Sequence, residues 1–385
     1  MPTLKKIAVS NFRNIEFQEL EFSPNVNCIS GGNGEGKTNL LDAIYYLSMT
    51  KSAFSNTDKY NFRHGTDVFS LCGTYLMNPA NVVAGEDSGE DAEISKFAIQ
   101  VNASGEKKLR KNDKTYNKVS DHIGTLPIVM VSPSDVTLVS DSGDQRRKFM
   151  NSVLSQMDRD YLSAAQQYNR LLAQRNTLLK GQSPDTALLS VIDARMAAPA
   201  RKIFEARKSF MEGLRPVIAD YYRVLSSDSE QVDVEYRSEL CPEGASADSV
   251  LSIEDLFSRN LKRDLAMGYT TSGVQRDDFV FTMGGHPIRR CGSQGQQKSF
   301  IVSLKFAQYD LMKKNYGFAP TLLLDDVFDK LDIDRISNLL SMVAGNEFGQ
   351  IFITDSNKVR LSGILDRFTS DRAYFETCAG SFKRL

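Results

Sequence analysis

The chain has 385 residues, more than one domain usually contains, so two lobes or one large discontinuous domain are expected. Charged residues make up 25% and hydrophobic residues 41%, which excludes a disordered or transmembrane class, and the net charge of −1 leaves any polyanion affinity to local basic clusters. The five cysteines and three histidines have no metal-ligand spacing, so we expect reduced thiols and no metal site built from these residues. The Lys-rich start lacks an apolar signal core, and we therefore expect a soluble cytoplasmic protein without membrane contact.

The first motif along the chain is a glycine-rich loop. Strand-like alternation from Ile7 to Phe17 and an apolar run from Val26 to Ile29 lead into Gly31-Gly32-Asn33-Gly34-Glu35-Gly36-Lys37-Thr38. In a phosphate-binding loop, glycines let backbone N–H groups surround the phosphates, the lysine reaches the β and γ oxygens, and the threonine hydroxyl binds Mg²⁺. A helical pattern follows and adds its positive N-terminal end. This setting favours a nucleoside triphosphate site over an ordinary glycine-rich turn.

Strand patterns continue after the first helix. They are predicted over residues 69–76, 97–101 and 128–131, and a polar, acidic loop is predicted over 78–91. The basic run over 107–111 can be either a solvated turn or a nucleic-acid contact, and its composition does not decide between them.

Helical patterns then dominate the middle of the chain. A capping-box sequence at Ser142 predicts one long helix that ends near Gly181. A second helical stretch follows, which Pro199 and Pro216 should kink or divide. We therefore expect a compact helical arm over residues 132–267 that is too short for a coiled-coil rod.

The second motif lies in the C-terminal β/α pattern. An apolar run from Leu322 to Leu324 ends in Asp325 and Asp326. The central strands of a parallel sheet are continuously apolar, and ligands lie beyond their carboxyl ends. There Asp325 can hold Mg²⁺, and Asp326 can orient or deprotonate the attacking water. A strand with an Asx turn is the alternative, but the phosphate loop in the same chain favours a Walker B motif.

A third loop precedes the Walker B strand and opens a strong helical pattern. Its residues are Ser293, Gln294, Gly295 and Gln296. A small polar loop at a helix N-terminus can bind an anion, although the same residues also make an acceptable helix cap. Its position shortly before the Walker B strand favours the anion site.

The order of phosphate loop, long insertion, signature loop and Walker B resembles the ABC-type ATPases of the SMC kind, and further motifs are similar to the RecF family of bacterial recombinational-repair ATPases. The similar segments are residues 9–14, 33–44, 132–135, 146–149, 272–278, 293–297 and 323–332. Val274 and Gln275 stand where proline and histidine are expected, and 53–56 lacks a usual basic residue.

This resemblance implies an α/β fold with an ABC-type P-loop ATPase head that has a mixed sheet plus a parallel core. Residues 1–131 and 268–385 would form this head, and a helical second lobe would be inserted over 132–267. ATP and Mg²⁺ are the implied cofactors, with Thr38 and Asp325 as metal ligands. Lys37, Asp325 and Asp326 are the implied catalytic residues. The implied nucleotide-binding residues are Gly31, Gly32, Asn33, Gly34, Glu35, Gly36, Lys37, Thr38 and Asn39, together with Arg13 and Asn14, for which a strand-edge role is the alternative.

The resemblance also implies an ATP-dependent homodimer. The signature residues of one subunit, Ser293, Gln294, Gly295 and Gln296, would complete the phosphate-loop site of the other, and Asp332 in the D-loop would help to align the partner's water. An aspartate base at 326 is one methylene shorter than the glutamate of most ABC ATPases, so slow turnover suited to a switch is expected.

The implied partners are double-stranded and gapped DNA and the RecR and RecO mediators. Three other classes remain as alternatives: a transporter ATPase, an SMC-like structural protein that bridges DNA, and a nucleotide-dependent nuclease or defence ATPase. The segment Arg276-Asp277-Asp278 and the extended Walker B favour the repair family over a transporter. The short helical insertion argues against a bridging rod, and no spare cluster of carboxylates and histidines marks a nuclease.

Overall fold

The chain forms two compact units. The computed structural model describes residues 1–77, 93–181, 183–226, 230–241, 251–328, 333–344, 348–357, 363 and 371–385. The first unit contains Met1–Asp135, Val224–Ser226 and Ile301–Leu385, and the second contains Val136–Arg223 and Ser227–Phe300. The domain boundaries expected at residues 132 and 268 stay a prediction, and the loop expected over 78–91 lies outside the described residues.

One sheet of the first unit is antiparallel. Its strands are β1 (Pro2–Phe12), β2 (Ile15–Glu21), β4 (Val68–Met77), β5 (Glu93–Asn102), β6 (Lys107–Lys111) and β7 (Lys114–Thr115). Their order is β2-β1-β4-β5-β6-β7. Alternate residues of β4 and β5 are buried, because successive side chains of a strand point to opposite faces and only one face of this sheet covers the core.

The other sheet of the first unit has a parallel core. Its strands are β3 (Val26–Ser30), β8 (Ile128–Val131), β12 (Thr321–Asp325), β13 (Ile351–Asp355), β14 (Arg372–Cys378) and β15 (Ser381–Arg384). Their order is β15-β14-β3-β13-β12-β8, and only β15 runs antiparallel to its neighbour. Every residue of β3, β8, β12 and β13 is buried, as the apolar runs predict for strands covered on both faces. The mixed sheet with a parallel core is therefore confirmed.

Helix α1 (Lys37–Met49) packs against strands of both sheets and forms the centre of the first unit. The rings of Phe12, Tyr46 and Phe69 meet edge to face there, with centroids 5.3 to 6.1 Å apart. Each such aromatic contact contributes about 0.5–1.5 kcal/mol beyond the burial of its area. The helix that follows the phosphate loop is thus anchored in the core through Tyr46.

The second unit is mostly helical. It contains α2 (Thr137–Ser140), α3 (Gly143–Met157), α4 (Arg159–Leu179), most of α5 (Thr186–Ser226), α6 (Ile253–Met267) and α7 (Ile288–Cys291), with a small sheet of β9 (Val232–Arg237), β10 (Asp278–Met283) and β11 (His286–Pro287). Helix α8 (Gln294–Tyr316) begins in this unit and continues into the first, which also holds α9 (Ile333–Ala344). A search of the described helices finds none with the length and apolarity needed to cross a membrane.

The helix predicted to run unbroken from Ser142 is in fact two helices. The chain leaves the helical conformation at Asp158, whose side chain accepts hydrogen bonds from the backbone N–H groups of Asp160 and Tyr161 and so begins α4. Ser142 does precede α3, but its side chain makes no capping bond. The apolar periodicity continues across the break, which is why the pattern alone did not reveal it.

Helix α5 continues through both of its prolines, so they do not divide it, and the kink that was the other predicted outcome stays a prediction. Pro199 and Pro216 lie inside a helix of 41 residues. Each proline removes one backbone hydrogen bond, but the apolar face on either side remains buried, and tertiary packing contributes most of the stability of such a helix. Residues of that face include Met196, Ile203, Phe210, Leu214 and Tyr222.

A buried histidine in the first unit predicts a pH dependence of stability. The His122 side chain is fully buried, and its Nε2 atom lies 2.7 Å from the carbonyl oxygen of Leu47. Burial lowers the pKa of His122 below its ordinary value of 6.5, although the hydrogen bond to Leu47 acts in the opposite direction. The unfolded chain therefore binds this proton at a higher pH than the folded chain, and the stability contributed by neutral His122 is lost as the pH falls below about 6.5.

We expect the free energy of unfolding of the wild type to fall by about 1 kcal/mol more than that of His122→Gln when the pH is lowered from about 7.5 to 5.5. Urea denaturation at both pH values measures this difference. The comparison with His122→Gln removes the contributions of other titrating groups, and an equal pH dependence of the two proteins would contradict the assignment.

Candidate functional site

The phosphate loop lies between β3 and α1, at the carboxyl edge of the parallel sheet. Gly36 has a left-handed φ of 109°, and a Cβ there would lie 2.9 Å from the side-chain nitrogen of Asn14. A Cβ on Gly31 would lie 2.6 Å from the side chain of Thr377. Both positions therefore require glycine, the first for its backbone conformation and the second for close packing.

Lys37 lies across the base of this loop. Its side chain is largely buried, and its ammonium group donates hydrogen bonds to the carbonyl oxygens of Gly31 and Gly32 at 2.8 and 2.9 Å. Beside it is a cavity of about 270 Å³, lined by Asn33, Gly34, Gly36, Lys37, Thr38, Asn39 and Asp326. The fold thus brings the phosphate loop and one carboxylate of the Walker B pair to the same cavity.

The other Walker B carboxylate meets the phosphate loop directly. The Thr38 hydroxyl lies 3.0 Å from both carboxylate oxygens of Asp325, which is the last residue of β12. Burial raises the pKa of Asp325 above its ordinary value, and hydrogen bonds from Thr354 and Thr38 act in the opposite direction. A hydroxyl and a carboxylate are hard oxygen donors of the kind that Mg²⁺ prefers, so these residues fit the metal.

Asp326 follows in an uncommon backbone conformation. Its φ of 46° is in the left-handed region, which few residues other than glycine adopt, and its N–H donates a hydrogen bond of 3.0 Å to the Thr354 hydroxyl. The residue lines the cavity beside the phosphate loop. The D-loop residue Asp332 lies outside the described residues, so its role stays a prediction.

The turn between β1 and β2 is tied to the start of α1. The Arg13 guanidinium forms an ion pair of 2.6 Å with Asp42, which is fully buried, and donates hydrogen bonds to Ser52 and Asn39. Asn39 in turn donates a hydrogen bond of 2.7 Å to the Asn14 side chain. Burial raises the pKa of Asp42, with Arg13 acting against it. This buried pair was not predicted, because its only signal in the sequence was a carboxylate within an apolar helix pattern.

The C-terminal hairpin holds the apex of the phosphate loop. The backbone carbonyl of Glu35 accepts hydrogen bonds from the Thr377 hydroxyl at 3.0 Å and from the Gly380 N–H at 2.9 Å. The Glu35 carboxylate also accepts a hydrogen bond from the Ala379 N–H. Glu35 is therefore bound to the protein rather than directed at the cavity through its carboxylate. Sequence gave no signal for these contacts, because the partners are more than 340 positions apart.

The signature residues begin helix α8 in the second unit. The Ser293 N–H donates to the Gln296 side-chain oxygen at 2.6 Å, and the Gln296 N–H donates to the Ser293 hydroxyl at 3.3 Å. This reciprocal arrangement is a capping box. Ser293 and Gln294 are exposed, Gly295 is half-buried, and the Gln296 amide also contacts Glu230. These residues thus form a helix cap, and their contact with a nucleotide of another subunit stays a prediction.

Two further segments of the resemblance, 146–149 and 272–278, bind each other within the second unit. Arg146 makes a two-pronged ion pair with Asp278 at 2.8 and 3.0 Å, and Arg147 donates a hydrogen bond to the carbonyl oxygen of Asp277. Arg207 of α5 pairs with the buried Asp277 carboxylate at 2.7 Å. Burial raises the pKa of Asp277, with Arg207 acting against it. These charged motifs join α3, α5 and β10.

Comparisons with known proteins agree with this fold and loop order. A family model described as the RecF/RecN/SMC N terminal domain matches residues 3–369. The DNA replication and repair protein RecF of Phocaeicola vulgatus is 41% identical over 374 residues, which cover 97% of this chain and 95% of that protein. The protein of the same name from Bacteroides fragilis is 40% identical over 383 residues, which cover 99% and 98% of the two chains.

Solved structures give the same result. A structure of the recombination mediator protein RecF with ATP in the RecFOR pathway is similar at a TM-score of 0.87 and 26% identity, with 100% of this chain and 98% of that chain covered. An Smc head domain from Pyrococcus furiosus matches at a TM-score of 0.56 and 14% identity, with 100% and 96% covered, and shows the fold alone. From its family model, its relatives and its fold, the chain belongs to the RecF family of DNA replication and repair proteins.

Proposed function

We propose that this chain is a slow, Mg²⁺-dependent ATPase of recombinational repair and replication that binds duplex or gapped DNA as an ATP-induced dimer and helps to load a recombinase at gaps. The observation that carries the proposal is the convergence of Lys37, Thr38, Asp325 and Asp326 at one edge of the parallel sheet. Ligands of such sheets bind beyond the carboxyl ends of the strands. The similar solved structure, described as RecF with ATP, supports ATP as the nucleotide.

The residues of one subunit would act on ATP in distinct ways. Lys37 would exchange its carbonyl partners for the β and γ oxygens, and the loop N–H groups would surround the phosphates. Thr38 and Asp325 would hold Mg²⁺, which supplies positive charge against the charge that develops on the phosphates. Asp326 would orient the attacking water and accept its proton. Arg13 and Asn14 are proposed as further nucleotide contacts next to the loop.

A second subunit would complete the site. Ser293 and Gln294 are exposed at the N-terminal end of α8, where the helix dipole favours an anion. With Gly295 and Gln296, they would meet the γ-phosphate of the partner's ATP, and Asp332 would help to align the water. Hydrolysis removes the γ-phosphate that both subunits bind, so the dimer should then loosen.

The proposed macromolecular partners are DNA and the RecR and RecO mediators. The similar solved protein is described as a recombination mediator in the RecFOR pathway, which supports this assignment. Because the net charge is −1, DNA affinity would come from local basic surfaces, of which Lys108 and Arg110 on β6 are exposed candidates. Contacts with phosphates release counterions, so the affinity should fall steeply with salt concentration.

The test is the variant Ser293→Arg, which places a bulky cation where the partner subunit would meet ATP. We expect the wild type to double its molecular mass and to retain gapped duplex DNA with ATP, but not with ADP or without nucleotide. Ser293→Arg should remain a monomer with ATP and lose retention, while its affinity for ATP as a monomer remains. Light scattering and DNA retention at low and physiological salt measure both effects.

The matched control is Ser258→Arg, because Ser258 is an exposed serine on α6 of the same unit. It should dimerise like the wild type. Normal dimerisation of Ser293→Arg would reject the shared site, and DNA retention that does not change with salt would reject the phosphate contacts. Thermal melting of both variants separates a loss of assembly from a loss of folding.

A further inference from the structure

We infer that Thr354 is a positioning residue for ATP hydrolysis, because one hydroxyl group connects the Asp325 carboxylate with the backbone of Asp326. The inference deepens the proposed function and depends on it, since Asp325 and Asp326 are proposed there to hold Mg²⁺ and to activate water. Thr354 lies outside every motif identified in the sequence.

The fold places Thr354 directly beside the Walker B pair. Strands β12 and β13 are parallel neighbours, and their register sets Asp325 opposite Thr354. The Thr354 side chain is fully buried. Its hydroxyl is therefore confined to partners within the protein, and both identified partners belong to the carboxyl end of β12.

The hydrogen-bond capacity of the hydroxyl is used in two directions. Its single hydrogen is donated to Oδ1 of Asp325 at 2.8 Å, and its oxygen accepts the N–H of Asp326 at 3.0 Å. The first bond fixes how the Asp325 carboxylate faces Thr38, whose hydroxyl lies 3.0 Å from both of its oxygens. The second bond fixes the position of the backbone N–H of Asp326.

The second bond matters because of the conformation it holds. Asp326 has a φ of 46°, and an aspartate adopts this left-handed conformation only where surrounding contacts favour it. This conformation directs the chain after β12 so that Asp326 lines the cavity beside Lys37 and Thr38. Without the Thr354 hydroxyl, the Asp326 N–H would lose its partner and the backbone could relax toward an ordinary conformation. The proposed base would then move relative to the phosphates.

A threonine that merely fills the core makes a different prediction. Valine has nearly the shape of threonine and suits a buried strand, so a packing role predicts little effect of Thr354→Val on turnover. A positioning role predicts a loss of kcat with little change in ATP affinity, since displacement of a reacting group by about 1 Å can lower a rate about 100-fold. It also predicts that serine, which keeps the hydroxyl, restores turnover.

The experiment measures ATP affinity and single-turnover hydrolysis for the full chain with Mg²⁺. We expect Thr354→Val to lower the rate of hydrolysis at least about 10-fold while its ATP affinity stays within about 3-fold of the wild type, and we expect Thr354→Ser to retain at least about half of the wild-type rate. The matched control is Thr321→Val at the opposite end of β12, which should leave the rate within about 2-fold.

Each outcome bears on the assignment. A normal rate in Thr354→Val, equal losses in the serine and valine variants, or a loss confined to ATP affinity would overturn it. If thermal melting shows that Thr354→Val does not fold, Thr354→Ala replaces it in the test. Alanine also removes the hydroxyl and adds no bulk, so the same loss of hydrolysis rate is expected. Absence of hydrolysis in the wild type would reject the proposed ATPase together with this inference, whereas wild-type hydrolysis with a normal Thr354→Val rejects the inference alone.

Discussion

Lys37→Met is expected to weaken ATP binding about 10- to 100-fold, because it removes a cation that would donate charge-assisted hydrogen bonds to the β and γ oxygens. In the structure the ammonium is held 2.8 and 2.9 Å from two loop carbonyls, within the loop itself. Methionine keeps most of the length of the side chain, so the packing around the buried stem should change little. Fluorescence titration with a labelled ATP analogue, or calorimetry, measures the affinity.

The control for this variant is Lys59→Met, which removes a lysine from an exposed position after α1 in the same unit. It changes the net charge by the same amount and should leave ATP affinity unchanged. If Lys37→Met bound ATP as tightly as Lys59→Met, the phosphates would have to lie elsewhere, and the phosphate-loop assignment would fail. Urea denaturation of both variants shows whether the loss of the lysine also affects stability.

The core of the ATPase fold could be predicted because its signals are local. The apolar runs that became β3 and β12 are fully buried, and each ends at the edge where the predicted chemistry lies. The glycine pattern between β3 and α1 required no knowledge of distant residues. A parallel strand followed by a loop and a helix specifies its own geometry, so the phosphate loop and the Walker B strand followed from the sequence alone.

The contacts that support this site could not be predicted in the same way. Glu35 is held by residues of the C-terminal hairpin, and the Asp325 carboxylate is oriented by Thr354, which lies 29 positions further along the chain. Periodicity reports which side chains are buried, but it does not report which strand becomes the neighbour or in what register. These partners therefore became visible only with the sheet order.

The helical unit shows the limit of periodicity and of proline as a signal. The stripe of apolar residues runs on past Asp158, although the helix ends there, because α3 and α4 each bury apolar residues along one face. Pro199 and Pro216 were expected to kink or divide α5, and the helix is not divided, because burial of the flanking face outweighs the hydrogen bonds that they remove. In the first case a local cap at Asp158 set a boundary that periodicity did not reveal, and in the second case tertiary packing outweighed local propensity.

Asp326→Asn is expected to reduce the rate of ATP hydrolysis at least about 100-fold while ATP binding is retained. The proposed role of Asp326 is to accept a proton from the attacking water, which an amide cannot do. Asparagine tolerates a left-handed backbone as well as aspartate does, and its N–H can still donate to Thr354, so the φ of 46° should persist. Single-turnover hydrolysis and ATP titration measure the two quantities separately.

The same variant tests the link between hydrolysis and release. If the γ-phosphate holds two subunits together, a protein that binds ATP without hydrolysing it should remain dimeric and should stay on gapped DNA longer than the wild type, as dissociation kinetics after dilution would show. The control is Asp113→Asn, since Asp113 also has a left-handed φ, of 66°, but lies in the exposed turn between β6 and β7. Slow hydrolysis in Asp326→Asn combined with a normal lifetime on DNA would contradict the proposed link between hydrolysis and release. Asp326 would then be correctly assigned as the base, but loss of the γ-phosphate could not be the event that opens the dimer.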